Sequence, residues 1–170
     1  AGLAEIENRV CRIEVGGRPV GTGFLLGPDV VLTAYHVLAG VVGGDVPSAD
    51  VALRFDYKQG PDGTVVNEGS LFQLDREWLV EVDRDRLGYA LLRAAGQPGY
   101  SGIGSAALES YAALRRWIDL PTAPVGWQLD MPLFILGYDR QGMQRIELFA
   151  KALLEIAAGD TRIRYRIETA

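Results

Sequence analysis

The sequence is poor in the residues that crosslink proteins or hold metals. Its 170 residues include one cysteine, Cys11, and one histidine, His36. A single thiol excludes an internal disulfide, and a structural zinc needs three or four His, Cys or carboxylate ligands. We therefore expect neither a disulfide framework nor a metal site, and the lone thiol favours a reducing, cytoplasmic setting. Cys11 alternates with apolar neighbours in VCRIEV (10–15), which predicts a buried side chain.

Clustered positive charge and long apolar runs are also absent. The formal net charge is −5, and no run of lysine and arginine residues occurs. This argues against a nucleic acid partner, because such a partner needs a basic patch to bind its phosphates. No apolar stretch approaches the roughly 20 residues that span a bilayer as a helix, so we also expect no membrane partner.

Turn residues and short apolar runs dominate the first half of the chain. The 21 glycines and 8 prolines of the sequence separate runs that alternate or are apolar throughout. About six strands at spacings of roughly ten residues are typical of a closed antiparallel barrel. The runs cover 9–15, 19–27, 30–33, 51–57, 65–74, 77–83 and 87–94. The last of them, 87–94, can also be read as a short helix, although its flanks favour a strand.

The second half predicts a connector followed by further strands. Residues 94–105 are rich in Gly, Ser and Pro, and 106–120 has helical composition. Beyond it, 131–139, 144–157 and 161–168 have strand character, although 144–157 also fits an amphipathic helix. We expect a first barrel over 1–95 that carries His36, an interdomain linker over 96–120, and the opening strands of a second barrel over 121–170.

The stretch GTGFLLGPDVVLTAYHVL (21–38) places the sole histidine after a glycine-rich hairpin and an apolar strand. It resembles the histidine segment of the chymotrypsin/trypsin-like serine peptidases, and most closely their disulfide-free bacterial branch. GYALLRA (88–94) is similar to the aspartate segment of that family, Asp-Xaa-Ala-Leu-Leu. MPLFILGYDRQG (131–142) and TRIRYRIETA (161–170) resemble the opening strands of its second barrel. The resemblance implies an all-β, chymotrypsin-like double β-barrel whose second barrel is incomplete.

The same resemblance implies a function. It identifies His36 as the general base of a trypsin-like serine endopeptidase domain that hydrolyses peptide bonds by acyl transfer. Imidazole suits that task because its unperturbed pKa is about 6.5. The family implies a polypeptide substrate and no metal or organic cofactor. It also implies that this domain is attached to signalling or effector domains, or contacts its own C-terminal segment.

The expected partners of His36 depart from the family pattern. Gly88 stands at the aspartate position and cannot accept the imidazole N–H. Asp85 could replace that carboxylate only through a bulge or loop, because odd offsets along a strand face opposite sides. Ser101 and Ser105 lie in the linker, where we expect a solvated role. The nucleophilic serine is therefore expected beyond residue 170.

Three interpretations stay open at this point. The chain is the histidine-bearing part of an active peptidase, or a pseudoprotease that binds polypeptides without cutting them. It is alternatively one product of proteolytic processing, held non-covalently to a C-terminal partner. Gly88 favours the pseudoprotease, and the histidine segment favours the enzyme.

Overall fold

Six antiparallel strands between residues 10 and 94 close into a barrel. The computed structural model describes residues 2–103, 113–157 and 162–165. The barrel strands are β1 (Val10–Val15), β2 (Arg18–Leu25), β3 (Val30–Ala34), β4 (Val51–Phe55), β7 (Ser70–Asp83) and β8 (Tyr89–Ala94). Around the barrel, they follow the order β1-β2-β3-β8-β7-β4. A short helix α1 (Leu3–Glu7) precedes them, and α2 (Ala39–Val42) lies between β3 and β4.

Alternation in the strands builds the barrel interior. Cys11 and Ile13 on β1 are fully buried, as are Val31 on β3 and Leu92 on β8. Because side chains along a strand point alternately to the two faces, these positions meet in one apolar cluster. The prediction for Cys11 is confirmed, and burial raises the pKa of its thiol to about 12. Leu25, Leu53, Phe55 and Ala90 complete the centre of the cluster.

The segment between β4 and β8 differs from its prediction. Residues 65–74 and 77–83 were expected to form two strands, but 70–83 is one continuous strand of 14 residues. Its register against β8 shifts twice, between Leu74 and Leu79 and between Leu79 and Glu81. These irregularities let one strand bend around the barrel without ending. The preceding residues form a two-stranded hairpin of β5 (Lys58–Gln59) and β6 (Val65–Asn67).

The connector after the barrel packs against the closed barrel. The helix expected within 106–120 is absent from 113–120, and 104–112 lies outside the described residues. A bridge joins Leu114 to Gly102, and the backbone of Ile118 donates a hydrogen bond to the carbonyl of Leu25. Arg115 is fully buried and forms an ion pair of 2.5 Å with Asp56 at the end of β4. A backbone hydrogen bond and a buried ion pair therefore join this part of the linker to the barrel.

Four further strands form two separate hairpins. β9 (Leu133–Tyr138) pairs with β10 (Gln144–Phe149), and β11 (Leu153–Ile156) pairs with β12 (Ile163–Tyr165). The single element expected over 144–157 is wrong, because Lys151 takes a left-handed conformation at a turn that divides it into two strands. The fold is thus all-β, with a closed first barrel followed by strands that the described residues do not close into a second one.

Candidate active site around His36

His36 lies at the rim of the barrel, one residue beyond Tyr35 and two beyond the end of β3. A single 3₁₀ turn, Tyr35–Val37, carries it, and the side chain is exposed. Among the described residues, no hydrogen bond or ion pair holds the imidazole. The ring is therefore accessible to a substrate or to another segment of polypeptide.

The glycine-rich hairpin before His36 determines how its turn packs. A Cβ atom on Gly21 would lie 2.7 Å from the methyl groups of Val37, so only glycine lets the histidine turn approach β2 this closely. On β3, the hydroxyl of Thr33 donates a hydrogen bond of 2.8 Å to the backbone carbonyl of Thr22. The motif that carries the family resemblance thus places His36 through close packing and one side-chain hydrogen bond.

Gly88 lies directly beside the histidine turn. Its carbonyl accepts a hydrogen bond of 2.8 Å from the backbone N–H of Tyr35, and Ala34 pairs with Tyr89 across β3 and β8. The φ angle of Gly88 is +74°, a conformation that L side chains rarely adopt. The structure therefore brings the aspartate position of the sequence comparison next to His36, and this position has no carboxylate.

The acidic residues near Gly88 do not replace that carboxylate. Asp83 accepts hydrogen bonds from the backbone N–H groups of Arg86 and Leu87, and these bonds hold the pKa of its carboxyl below the usual range. The side chain of Asp85 is 96% exposed and lies 3.9 Å from Arg84. Asp83 is thus the cap of the turn that leads to Gly88, and Asp85 points into solvent.

Ser101 matches the local pattern of a peptidase nucleophile but lies far from His36. It stands in Gly99-Tyr100-Ser101-Gly102, which matches Gly-Xaa-Ser-Gly, the pattern around the nucleophile of the family that the sequence resembles, and the prediction of a merely solvated linker serine overlooked this match. The backbone N–H of Gly99 donates to the carbonyl of Pro28, in the turn before β3, whereas His36 follows the other end of that strand. At about 3.3 Å per residue, the five residues of β3 separate the two ends by more than about 10 Å.

The hydroxyl of Ser101 is also occupied. It donates a hydrogen bond of 2.7 Å to the carbonyl of Pro98 and accepts one from the guanidinium of Arg115. A serine nucleophile needs a base within hydrogen-bond reach, and the partners of this hydroxyl are a carbonyl and a permanent cation. Ser101 therefore stabilises the linker and is not the partner of His36.

Neither a metal nor a membrane-spanning helix is indicated by the described residues. Within them, no three or more His, Cys, Asp or Glu side chains lie close enough together to hold a metal ion. None of the helices that the structure describes has the length and apolar character needed to cross a membrane.

Comparison with known proteins identifies the family of this chain. Residues 21–162 match the family described as the trypsin-like peptidase domain, which covers most of the chain. The chain belongs to this family. No curated protein sequence matches it significantly.

Solved structures of trypsin-like proteins share the fold. A scabies mite inactivated protease paralogue, S-D1, superposes with a TM-score of 0.58 at 14% identity, covering 88% of this chain and 59% of that one. Deg5 superposes with a TM-score of 0.58 at 15% identity, covering 92% of this chain and 64% of that one. The MamO protease domain from Magnetospirillum magneticum superposes with a TM-score of 0.51 at 15% identity, covering 91% of this chain and 67% of that one. The chain thus spans about three fifths of the length of the first two, and the likeness shows a chymotrypsin-like fold.

Two contacts near this trypsin-like site were not identified from the sequence. Asp83 is the last residue of β7 and precedes a charged turn, so an Asx cap after a strand was the available signal for its hydrogen bonds. Thr22 lies within the glycine-rich motif, but its hydrogen bond with Tyr138 joins residues more than a hundred positions apart. No local pattern reveals a pairing of that range.

Proposed function

We propose that this chain is the histidine-bearing part of a trypsin-like serine endopeptidase domain, with His36 as the general base. The observation that carries the proposal is the position of His36. It is the sole imidazole of the chain, it is exposed at the rim of the closed barrel, and it lies beside the family's aspartate position. An accessible imidazole suits proton transfer near neutral pH, because histidine is the side chain whose unperturbed charge change falls in that range.

The reaction would be acyl transfer to a serine supplied by a segment outside these 170 residues. His36 accepts the hydroxyl proton as the oxygen attacks the peptide carbonyl, and then returns that proton to the leaving amine. A water molecule then attacks the acyl-serine ester with His36 again acting as the base, and this second step releases the acyl group. The length of the related structures supports this proposal, because the first two extend well beyond what this chain covers.

The absence of a carboxylate at Gly88 leads us to expect a low rate of peptide hydrolysis. In the triad, the carboxylate holds the imidazole in the correct tautomer, and replacing it lowers turnover by about 10⁴-fold. The described residues place no other carboxylate in contact with His36. We therefore infer a slow peptidase that works with a Ser-His pair.

A pseudoprotease that binds polypeptides is the second candidate, and Gly88 is the specific observation that favours it. The scabies mite protein of similar fold is described as an inactivated protease paralogue. In this alternative, the exposed rim around His36 binds a polypeptide without cutting it.

Polypeptides are the proposed partners in either case. A groove of about 380 Å³ lies between β2 and the C-terminal hairpins, and its lining is mostly apolar; it includes Phe24, Ile118, Trp127, Phe134 and Tyr165. We propose that further strands of the same protein cover it, since the related structures are longer.

The proposal also includes attached effector domains and a cytoplasmic location. The unpaired and buried Cys11 supports the location, because free thiols are typical of a reducing compartment.

A fluorophosphonate probe on the full-length protein tests the proposal. Such probes label an activated serine, and mass spectrometry locates the label. We expect labelling at a serine outside these 170 residues, at the same rate in Ser101→Ala, and strongly reduced in His36→Ala. Equal labelling of the wild type and His36→Ala would remove His36 as the base. A folded full-length protein that is never labelled would instead support the pseudoprotease.

A further inference from the structure

The hairpin of β9 and β10 has little support of its own. An isolated two-stranded hairpin is marginally stable in water. Phe134 and Leu148 on this hairpin are 63% and 60% exposed. No residue within its strands is fully buried. Its position must therefore be fixed by what it contacts. The side chain of Gln144 on β10 donates a hydrogen bond of 3.1 Å to the carbonyl of Glu7 in α1, and two further contacts come from the strands of the first barrel.

The first of these contacts is made by Thr22 on β2. Its hydroxyl oxygen accepts a hydrogen bond of 2.8 Å from the backbone N–H of Tyr138, at the end of β9. The approach is close, because a Cβ on Gly137 would lie 3.1 Å from the same oxygen. The backbone carbonyl of Thr22 meanwhile accepts the hydroxyl of Thr33, three residues before His36.

The second contact is made by Arg12 on β1. Its Nη1 donates a hydrogen bond of 3.1 Å to the carbonyl of Gly142, in the turn of the hairpin. Its Nε and Nη2 donate to Glu14 Oε1 at 2.8 and 2.5 Å, and its guanidinium carbon lies 3.6 Å from the ring centroid of Tyr57. Gly142 has a φ of +80°, and a Cβ there would lie 2.8 Å from Nη1, so the turn fits this guanidinium only as glycine.

Both contacts originate from one cross-strand pair. Arg12 and Thr22 lie directly opposite each other on β1 and β2. Both side chains point out of the barrel, yet Arg12 is only 8% exposed because the hairpin turn and Tyr57 cover it. One end of the hairpin and its turn are thus held by two neighbouring side chains.

We infer that the Arg12–Thr22 pair is a two-point lock that fixes the β9–β10 hairpin on the barrel and connects it, through the hydrogen bond between Thr22 and Thr33, to β3, the strand that precedes His36. Thr22 and Arg12 are positioning residues in this account. They touch no reacting atom and act through the hairpin. Their influence on His36 rests on the proposed function, whereas the lock itself does not.

Amide hydrogen exchange on the full-length protein tests the lock. In Thr22→Val the N–H of Tyr138 loses its acceptor, whereas Thr22→Ser keeps a hydroxyl at the same place. We expect the amides of β9 and β10 to exchange about tenfold faster in Thr22→Val and in Arg12→Met, the effect of leaving a buried polar group unpaired. Thr22→Ser should exchange like the wild type.

Arg54→Met is the matched control for Arg12→Met. Arg54 also binds Glu14, at 2.7 Å, but among the described residues its hydrogen bonds go only to Glu14 and Glu68 and none reaches the hairpin. We expect it to leave hairpin exchange unchanged. Equal acceleration in Arg54→Met and Arg12→Met, or wild-type exchange in Thr22→Val, would overturn the lock.

A second measurement tests the link to His36 separately. The rate of fluorophosphonate labelling should fall in Thr22→Val but not in Thr22→Ser. Labelling that is equal in both variants, with faster hairpin exchange in Thr22→Val, would overturn the link and leave the lock standing. A wild type that is never labelled would contradict the proposed function alone, because hydrogen exchange reports the lock without activity.

Discussion

At the scale of the residue, Gly88 has the largest influence on how His36 can act. Its carbonyl binds the backbone of Tyr35, so the position is adjacent to the histidine turn. Its φ of +74° lies where glycine is favoured and where Asp and Asn are better tolerated than other residues. A Cβ at this position would meet no atom within 4 Å, so there is room for a side chain. The carboxylate can therefore be restored at the cost of backbone strain alone.

We predict that Gly88→Asp increases the rate of serine labelling or peptide hydrolysis by about tenfold or more, because a carboxylate beside the imidazole orients it and stabilises its cation. Gly88→Ala is the matched control. It carries at least as much backbone strain, about 1–2 kcal/mol, without a carboxylate. Comparable rates in the two variants would show that a side chain here does not reach His36.

At the scale of the element, the linker is held by a buried charge. The side chains of Arg115 and Asp56 are 0% and 2% exposed, and the guanidinium carbon lies 4.6 Å from the ring centroid of Phe55. Its Nη1 also donates to the carbonyl of Pro98. Removing one member of a buried pair leaves an uncompensated charge, which costs more than removing both.

We predict that Arg115→Met lowers the free energy of unfolding by about 3–5 kcal/mol, measured by denaturant titration. Adding Asp56→Asn should recover part of this loss, because the remaining buried charge disappears. Asparagine also tolerates the left-handed conformation of this position. Arg116→Met, on the exposed neighbour, should change stability by no more than about 0.5 kcal/mol. A double variant less stable than Arg115→Met would contradict this account.

At the scale of the whole molecule, paired carboxylates link stability to pH. Burial alone would raise the pKa of Glu14, but hydrogen bonds from Arg54 and Arg12 outweigh it, so the pKa lies below the usual value. The carboxyl of Asp139 behaves in the same way, because backbone N–H groups and Arg145 outweigh its burial. A depressed pKa in the folded state contributes stability that is present at neutral pH and is lost on acidification.

We predict that the free energy of unfolding falls as the pH drops below about 4.3, the ordinary glutamate pKa, and continues to fall through the lower pKa of the folded state. Glu14→Gln should be less stable at pH 7 and should show a shallower acid dependence. Glu77→Gln, at an exposed position of β7, serves as the control. An unchanged acid dependence in Glu14→Gln would mean that other carboxylates account for it.

Local patterns predicted much of the barrel but not its irregular parts. Alternation over 9–15 and 51–57 gave β1 and β4, and the resemblance around His36 is confirmed as a trypsin-like domain. The single long strand β7 was missed, because a strand that shifts register repeats no simple pattern. The division of 144–157 was missed because a left-handed Lys151 has no sequence signature. The nucleophile-like pattern at Ser101 is local, and only the contacts of that hydroxyl with Pro98 and Arg115 give its role.

The sequence by itself determined the class of protein and the single histidine available to it, because alternation, turn residues and the motif over 21–38 are properties of neighbouring residues. It also placed a glycine, Gly88, in the segment that resembles the family's aspartate segment. Only the tertiary structure decided that Asp83 caps a turn, that Ser101 lies at the opposite end of β3 from His36, and that Arg12 and Thr22 hold the β9–β10 hairpin. The Asp83 cap is local, but the positions of Ser101, Arg12 and Thr22 depend on contacts between distant parts of the chain, which exist only once the barrel has closed.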